Sequence, residues 1–179
     1  MIELGVVFLL AGSVLAREPA TGDEPPSRPL RAGIIGLDTS HVVVFTRLLN
    51  APSPKPELAG VRVVAAYPGG SPDLPSSRDR VAGYTNQLRE KYEVAIVESI
   101  EELLPRVDVV LLESVDGRPH LAQATPVLKA GKRVFIDKPL AASLDDARAI
   151  VALSKETGTP FFSASSYRFH EPKMLPKVA

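Results

Sequence analysis

The stretch Ala32-Gly33-Ile34-Ile35-Gly36-Leu37-Asp38-Thr39-Ser40-His41 is an apolar run that closes on glycine and then on residues that open helices. An extended run stopped by Gly36 and followed by Asp, Thr and Ser predicts a strand, a tight turn and a helix. The same alternation continues along the chain. Strands are predicted at 32–37, 61–67, 94–97, 107–112, 133–136 and 160–163, and helices near 40–49, 78–91, 100–104, 119–130 and 143–157. Ser143 with Asp145 and Asp146 supplies a cap and negative charge at a helix start, and Gly131 and Gly158 stand where left-handed residues end helices. Strands alternating with amphipathic helices are the pattern of βαβ units. Their crossovers are right-handed, so the predicted fold is α/β, a doubly wound parallel sheet whose strand carboxyl ends form the binding edge.

At 179 residues the chain can bury one ordinary core and is short for two complete domains. Its 21 basic and 21 acidic residues cancel, so no long-range field draws in nucleic acid or anionic lipid. With no cysteine there is no disulfide, thiolate nucleophile or cysteine metal site. The three histidines lie far apart, and no metal ligands are assigned, although His and carboxylates from distant segments could still converge. Residues 1–16 are an apolar run ending Val14-Leu15-Ala16, read as a signal peptide cleaved after Ala16. An exported or periplasmic protein follows, with no stable membrane span after cleavage. A buried amino-terminal strand or helix in a cytoplasmic protein is the other reading, since Glu3 and no Lys or Arg precede the run. Residues 17–30 form a Pro-rich linker, 31–165 the nucleotide-binding domain, and 166–179 a tail or the start of another domain.

In an intact G-x-G-x-x-G turn, the second glycine lets a pyrophosphate approach the backbone and the third lets helix and strand pack closely. Here Gly36 is the first, while Asp38 and His41 stand at the other two positions. Asp38 is repulsive to phosphate unless its side chain turns away to cap the next helix, a role open to Asp38, Thr39 or Ser40. The second predicted strand ends Ala65-Ala66-Tyr67-Pro68-Gly69-Gly70, without the acid that takes the ribose hydroxyls in NAD enzymes. Arg78 and Arg80 could favour a 2′-phosphate, or form a solvated helix start. Dinucleotide affinity is therefore expected to be poor and limited at the first turn.

Val107-Asp108-Val109-Val110-Leu111-Leu112, His120, and Ala130-Gly131-Lys132-Arg133-Val134-Phe135-Ile136-Asp137-Lys138-Pro139 resemble the Gfo/Idh/MocA oxidoreductases, with a "DVV" strand, a histidine opening a helix and "AGKHV..EKP". Asp137 stands for the usual glutamate. Ser165 to Pro172, with Arg168-Phe169, is similar to the stretch by which this family leaves its Rossmann domain. The resemblance implies a Rossmann-type domain binding NAD or NADP and a second α+β domain, here expected to be absent or truncated. A Rossmann half alone would expose the surface that packs on that domain.

The resemblance makes Lys138 the conserved lysine near nicotinamide and substrate hydroxyl, able to assist proton transfer. The alternative is a surface lysine paired with Asp137. His120 is placed near the cofactor as a second catalytic candidate, or is a cap or packing residue. His41 faces phosphate or substrate, or packs on the sheet. Gly36, Asp38, Thr39, Ser40, His41 and Lys138 are the expected cofactor-binding set, and His170 receives no role. Two functions follow: an NAD(P)-dependent oxidoreductase acting on a carbohydrate-like hydroxyl compound, or a non-catalytic, cofactor-poor relative that binds a carbohydrate-like ligand or a partner protein. Oligomeric state stays open.

Overall fold

The computed structural model describes residues 28–165. The apolar start, nearly all of the Pro-rich tract, and the tail with His170 lie outside the described residues. Six strands, β1 (Leu30–Ile35), β2 (Val61–Tyr67), β3 (Ala95–Ile96), β4 (Val109–Leu112), β5 (Arg133–Asp137) and β6 (Phe161–Ala164), form one parallel sheet in the order β3-β2-β1-β4-β5-β6. The helices are α1 (His41–Leu49), α2 (Pro75–Tyr92), α3 (Ile100–Leu103), α4 (His120–Lys129) and α5 (Leu144–Thr157). The doubly wound sheet expected from the alternation is present. Strand order reverses between β1 and β4, where such sheets open a crevice at their carboxyl ends.

A parallel strand covered on both faces must be apolar at every position, because successive side chains point to opposite sides. In β1, Ile34 packs with Val42 of α1 and Leu88 of α2, while its neighbour Ile35 packs with Leu103, Leu128 and Ile150 of α3, α4 and α5. Both isoleucines are fully buried, each stabilising the fold by roughly 1.5–3 kcal/mol. The helix ends hold as expected. The Ser143 hydroxyl accepts from Asp146 N at 3.0 Å, and Gly131 and Gly158 are left-handed at φ 70° and 64°. On the face of β5 and β6 beyond α1, Phe162 is 64% exposed and rests against Phe135, an apolar surface no described element covers.

The element ends differ from the sequence reading for identifiable reasons. β1 stops at Ile35 because Gly36 turns out of the strand, and Leu37 N donates to Pro68 O at 2.6 Å rather than extending the β4 ladder. β4 starts at Val109, since Asp108 serves the amino edge of the sheet. Its carboxylate accepts from Arg31 N, Nε and Nη2 and from Arg28 Nη1 at 2.9–3.2 Å. The Arg31 and Arg28 guanidiniums hold that carboxyl well below the usual carboxylate range. α2 begins at Pro75, three residues before the expected start, because proline suits the first helical turn.

Candidate functional site

Four strand ends converge at the carboxyl edge: the Gly36 turn after β1, Pro68–Ser71 after β2, Glu113–Asp116 after β4, and Asp137–Pro139 after β5. Glu113 N donates to Ile35 O at 2.7 Å, carrying the β1/β4 pairing one residue past the strands. Gly36 has φ +88°, and a Cβ there would come within 2.6 Å of Ser114 Cα. Only glycine lets the β4 end lie this close to the first turn. At Gly117 a Cβ would come within 2.8 Å of Ala141 C and Ala142 N, so the loops after β4 and β5 are also in close contact.

At the centre stand four ionisable side chains, brought by the start of α1 and the ends of β4 and β5. His41, first residue of α1, places Nδ1 2.7 Å from Asp137 Oδ2 at the end of β5 and 3.9 Å from Glu113 Oε2 just past β4. Lys138 Nζ is 3.4 Å from the same Asp137 oxygen, with its side chain 46% exposed. Glu113 is fully buried, and neither carboxylate oxygen has a hydrogen-bond partner. Burial, then the charge of Asp137, push its pKa up to about 8, with Lys138 opposing. An anion there is expensive because neither water nor a donor solvates it.

The expected site residues divide. Lys138 and His41 come together through Asp137. Asp38 turns away from the α1 terminus but caps no helix. It is fully buried, accepting from Ser77 Oγ at 2.6 Å and Val115 N at 3.0 Å. This corrects the capping role considered for it, and Ser40 is no better, since its hydroxyl makes no cap bond. Thr39 Oγ1 accepts from His41 N at a long 3.4 Å. Both side chains expected to obstruct the phosphate path, Asp38 and His41, are thus directed elsewhere, and the first turn of α1 holds no acidic residue. A helix amino terminus in that state favours an anion. At its phosphate end the crevice offers the amino terminus of α1, while Leu37 N and Val115 N nearby are already engaged. At the ribose end it departs from the usual pattern, because the loop after β2 offers no free carboxylate. Asp73 is held by Arg118 at 2.7 Å, and Arg118 also grips Asp116, which accepts from Ser71 Oγ at 2.6 Å. Arg78 lines a small cleft with Gly69, Gly70 and Pro72.

His120 is fully buried, with Nε2 2.8 Å from Ser114 O and Nδ1 3.2 Å from Leu140 O. A neutral imidazole has one N–H, so it donates to one of these carbonyls in a given tautomer. Its ring joins the loops after β4 and β5 from inside. Sequence reasoning missed Glu113 and the Asp73–Arg118–Asp116 clasp. The signal for Glu113 was an acid directly following the apolar run of β4, hence at the binding edge of a parallel sheet.

A family model described as "Oxidoreductase family, NAD-binding Rossmann fold" matches residues 71–165, just over half of the chain. The 1,5-anhydro-D-fructose reductase of Ensifer adhaerens is 42% identical over 64 residues, 35% of this chain and 19% of that protein. The candidate oxidoreductase YceM of Salmonella typhimurium strain LT2 is 30% identical over 142 residues, 79% of this chain and 40% of that protein. The WlbA dehydrogenase of Bordetella pertussis, solved with NADH and UDP-GlcNAcA, shares the fold with a TM-score of 0.59 at 20% identity, over 79% of this chain and 38% of that one. The chain spans two fifths or less of the length of these proteins.

Proposed function

The chain belongs to the Gfo/Idh/MocA oxidoreductase family, with its NAD-binding Rossmann fold, and from that premise we propose that it works in NAD(P)-dependent oxidation or reduction of a sugar, polyol or similar hydroxyl compound. The observation that carries this reading is the place of Lys138, which directly follows β5 at the carboxyl edge of the sheet and is joined through Asp137 to His41, the first residue of α1. The Lys138 side chain is about half exposed while the Asp137 carboxylate 3.4 Å from its Nζ is buried, so the acid holds the amine at the edge of the sheet. When bound, the nicotinamide supplies or accepts the hydride. The chain's own part is to bind and to manage the proton. Lys138 hydrogen-bonds the reacting oxygen and gives or takes its proton, and the amino terminus of α1 receives the phosphates. His120 is a positioning residue in this scheme, holding the loops after β4 and β5 without touching substrate. The sugar-like substrate class is supported by the names of relatives that act on anhydrofructose or hold a UDP-sugar. Arg78, beside the loop after β2, is the candidate contact for a 2′-phosphate.

The test is Lys138→Met in the full-length protein, assayed with NAD and NADP against a panel of sugars and polyols. Loss of kcat by roughly 100-fold or more, with dinucleotide affinity changed less than tenfold, is the expected result. Undiminished kcat would remove Lys138 from the chemistry.

A second reading, a cofactor-poor relative that binds a carbohydrate-like ligand or a partner protein, is favoured by one feature of the first turn. Leu37 N and Val115 N, near the phosphate path, are already engaged by Pro68 O and Asp38. Calorimetric titration with NADH and NADPH separates the two readings. Absence of binding at millimolar dinucleotide selects the second.

A further inference from the structure

We propose that His41 Nδ1, Glu113 and Asp137 form a binding site for one first-row divalent transition-metal ion, their ligand atoms all lying within 4.8 Å of one another. The convergence alone would not carry this, since carboxylates gather at many binding edges. The second observation is Glu113. Its side chain is wholly buried, Oε2 approaches His41 Nδ1 at 3.9 Å, and neither oxygen meets a hydrogen-bond partner. A buried polar group is normally satisfied, and one left bare inside a cluster of donors points to a missing partner at its centre.

Protonation does not supply that partner. A proton on Glu113 would cover one oxygen and leave the other without a donor, since His41 Nδ1 is spent on Asp137 at 2.7 Å and stays 3.9 Å from Glu113. Charge gives the same answer. With both acids ionised, Lys138 Nζ and His41 Nδ1 each lie closest to Asp137, so a cation between His41 and Glu113 would serve the carboxylate that neither of them reaches.

The spacing suits an ion. Two ligand atoms about 2.1 Å from a metal lie about 3.0–3.4 Å apart at tetrahedral or right angles. The observed 2.7 Å and 3.9 Å separations bracket that range, so small movements of an exposed-edge His and a Glu side chain complete the triangle. One imidazole with two carboxylates selects zinc, cobalt, manganese or iron over magnesium and calcium, which prefer oxygen alone. Three protein ligands also leave coordination positions open, and His41 is the exposed member, so those positions face the crevice beside Lys138. This site stands independently of the oxidoreductase reading, because binding is measured without dinucleotide or substrate.

The experiment is calorimetric titration of chelator-stripped full-length protein with Zn²⁺ and Mn²⁺, with the visible d–d spectrum of Co²⁺ as an independent readout of coordination. One saturable equivalent is expected. Glu113→Gln and His41→Gln should each weaken it at least tenfold, while Asp145→Asn, at an exposed acid outside the cluster, leaves it unchanged. Glu113→Gln keeps the side-chain shape, and circular dichroism in chelator verifies that both variants are folded. No saturable binding at millimolar metal overturns the site. Binding unaffected by either ligand variant, or weakened equally by Asp145→Asn, overturns it as well.

Discussion

Replacing Glu113 by glutamine measures what its buried charge costs. In the metal-free protein the unfolded chain releases this proton near the ordinary glutamate value of 4.5, whereas the folded protein holds it to about pH 8. Between those values the folded state binds the extra proton, so wild-type stability falls as pH rises through the window. Below pH 4.5 both states are protonated and nothing is lost. Above pH 8 both are ionised and the deficit is complete, on the order of 5 kcal/mol by linkage. Glutamine cannot ionise and has nearly the same shape, so the variant escapes this term. It keeps two polar atoms in a buried place, a cost of about 1–3 kcal/mol that protonated Glu113 shares and that does not vary with pH. The informative quantity is therefore the difference between variant and wild type at pH 5 and again at pH 9, in which all other titrating groups cancel. Thermal melts with chelator present should show glutamine gaining on wild type by a few kcal/mol across that range, roughly 5–15 °C in Tm for a domain of this size. A constant difference from pH 5 to pH 9 would refute the reasoning, since it would mean that Glu113 finds a compensating charge or solvent in the folded protein.

Gly36→Ala should destabilise by about 3 kcal/mol or more, because its Cβ would press on the Ser114 backbone and its left-handed φ disfavours a side chain; urea denaturation would register it as a lower midpoint. Asp108→Asn should lower Tm at pH 7, where the arginine-held carboxylate is ionised. Its stabilisation is present above the usual carboxylate range and is lost as pH falls, so the gap to wild type should narrow toward strongly acid pH in a series of melts.

The fold was legible because its signals are local and repeated. Each apolar run buried on both faces had to be a strand of a covered parallel sheet, and each Ser143-type cap or Gly158-type stop was stated within a few residues of where it acts. Errors fell at element ends, where the deciding partner is distant in sequence. Nothing near Asp108 says that Arg31, 77 residues away, will take its carboxylate.

The site was legible only in part, for the same reason at greater cost. Lys138 could be placed because a strand end and a following proline fix where a residue leaves the sheet. The directions taken by Asp38 and His41 could not, because each is chosen by groups on other elements: Ser77 and Val115 for the first, Asp137 and Glu113 for the second. Both residues looked like obstacles to phosphate when judged by position in a glycine motif, and both have side chains turned from that path. A large residue at the third-glycine position does not have to push helix from strand. As the first residue of α1, His41 can swing toward the β4 and β5 ends, and two acids there give it a reason to do so. What reads as erosion of a phosphate turn is, in three dimensions, the placement of an imidazole on Asp137, 3.9 Å from a second, buried carboxylate that has no hydrogen-bond partner.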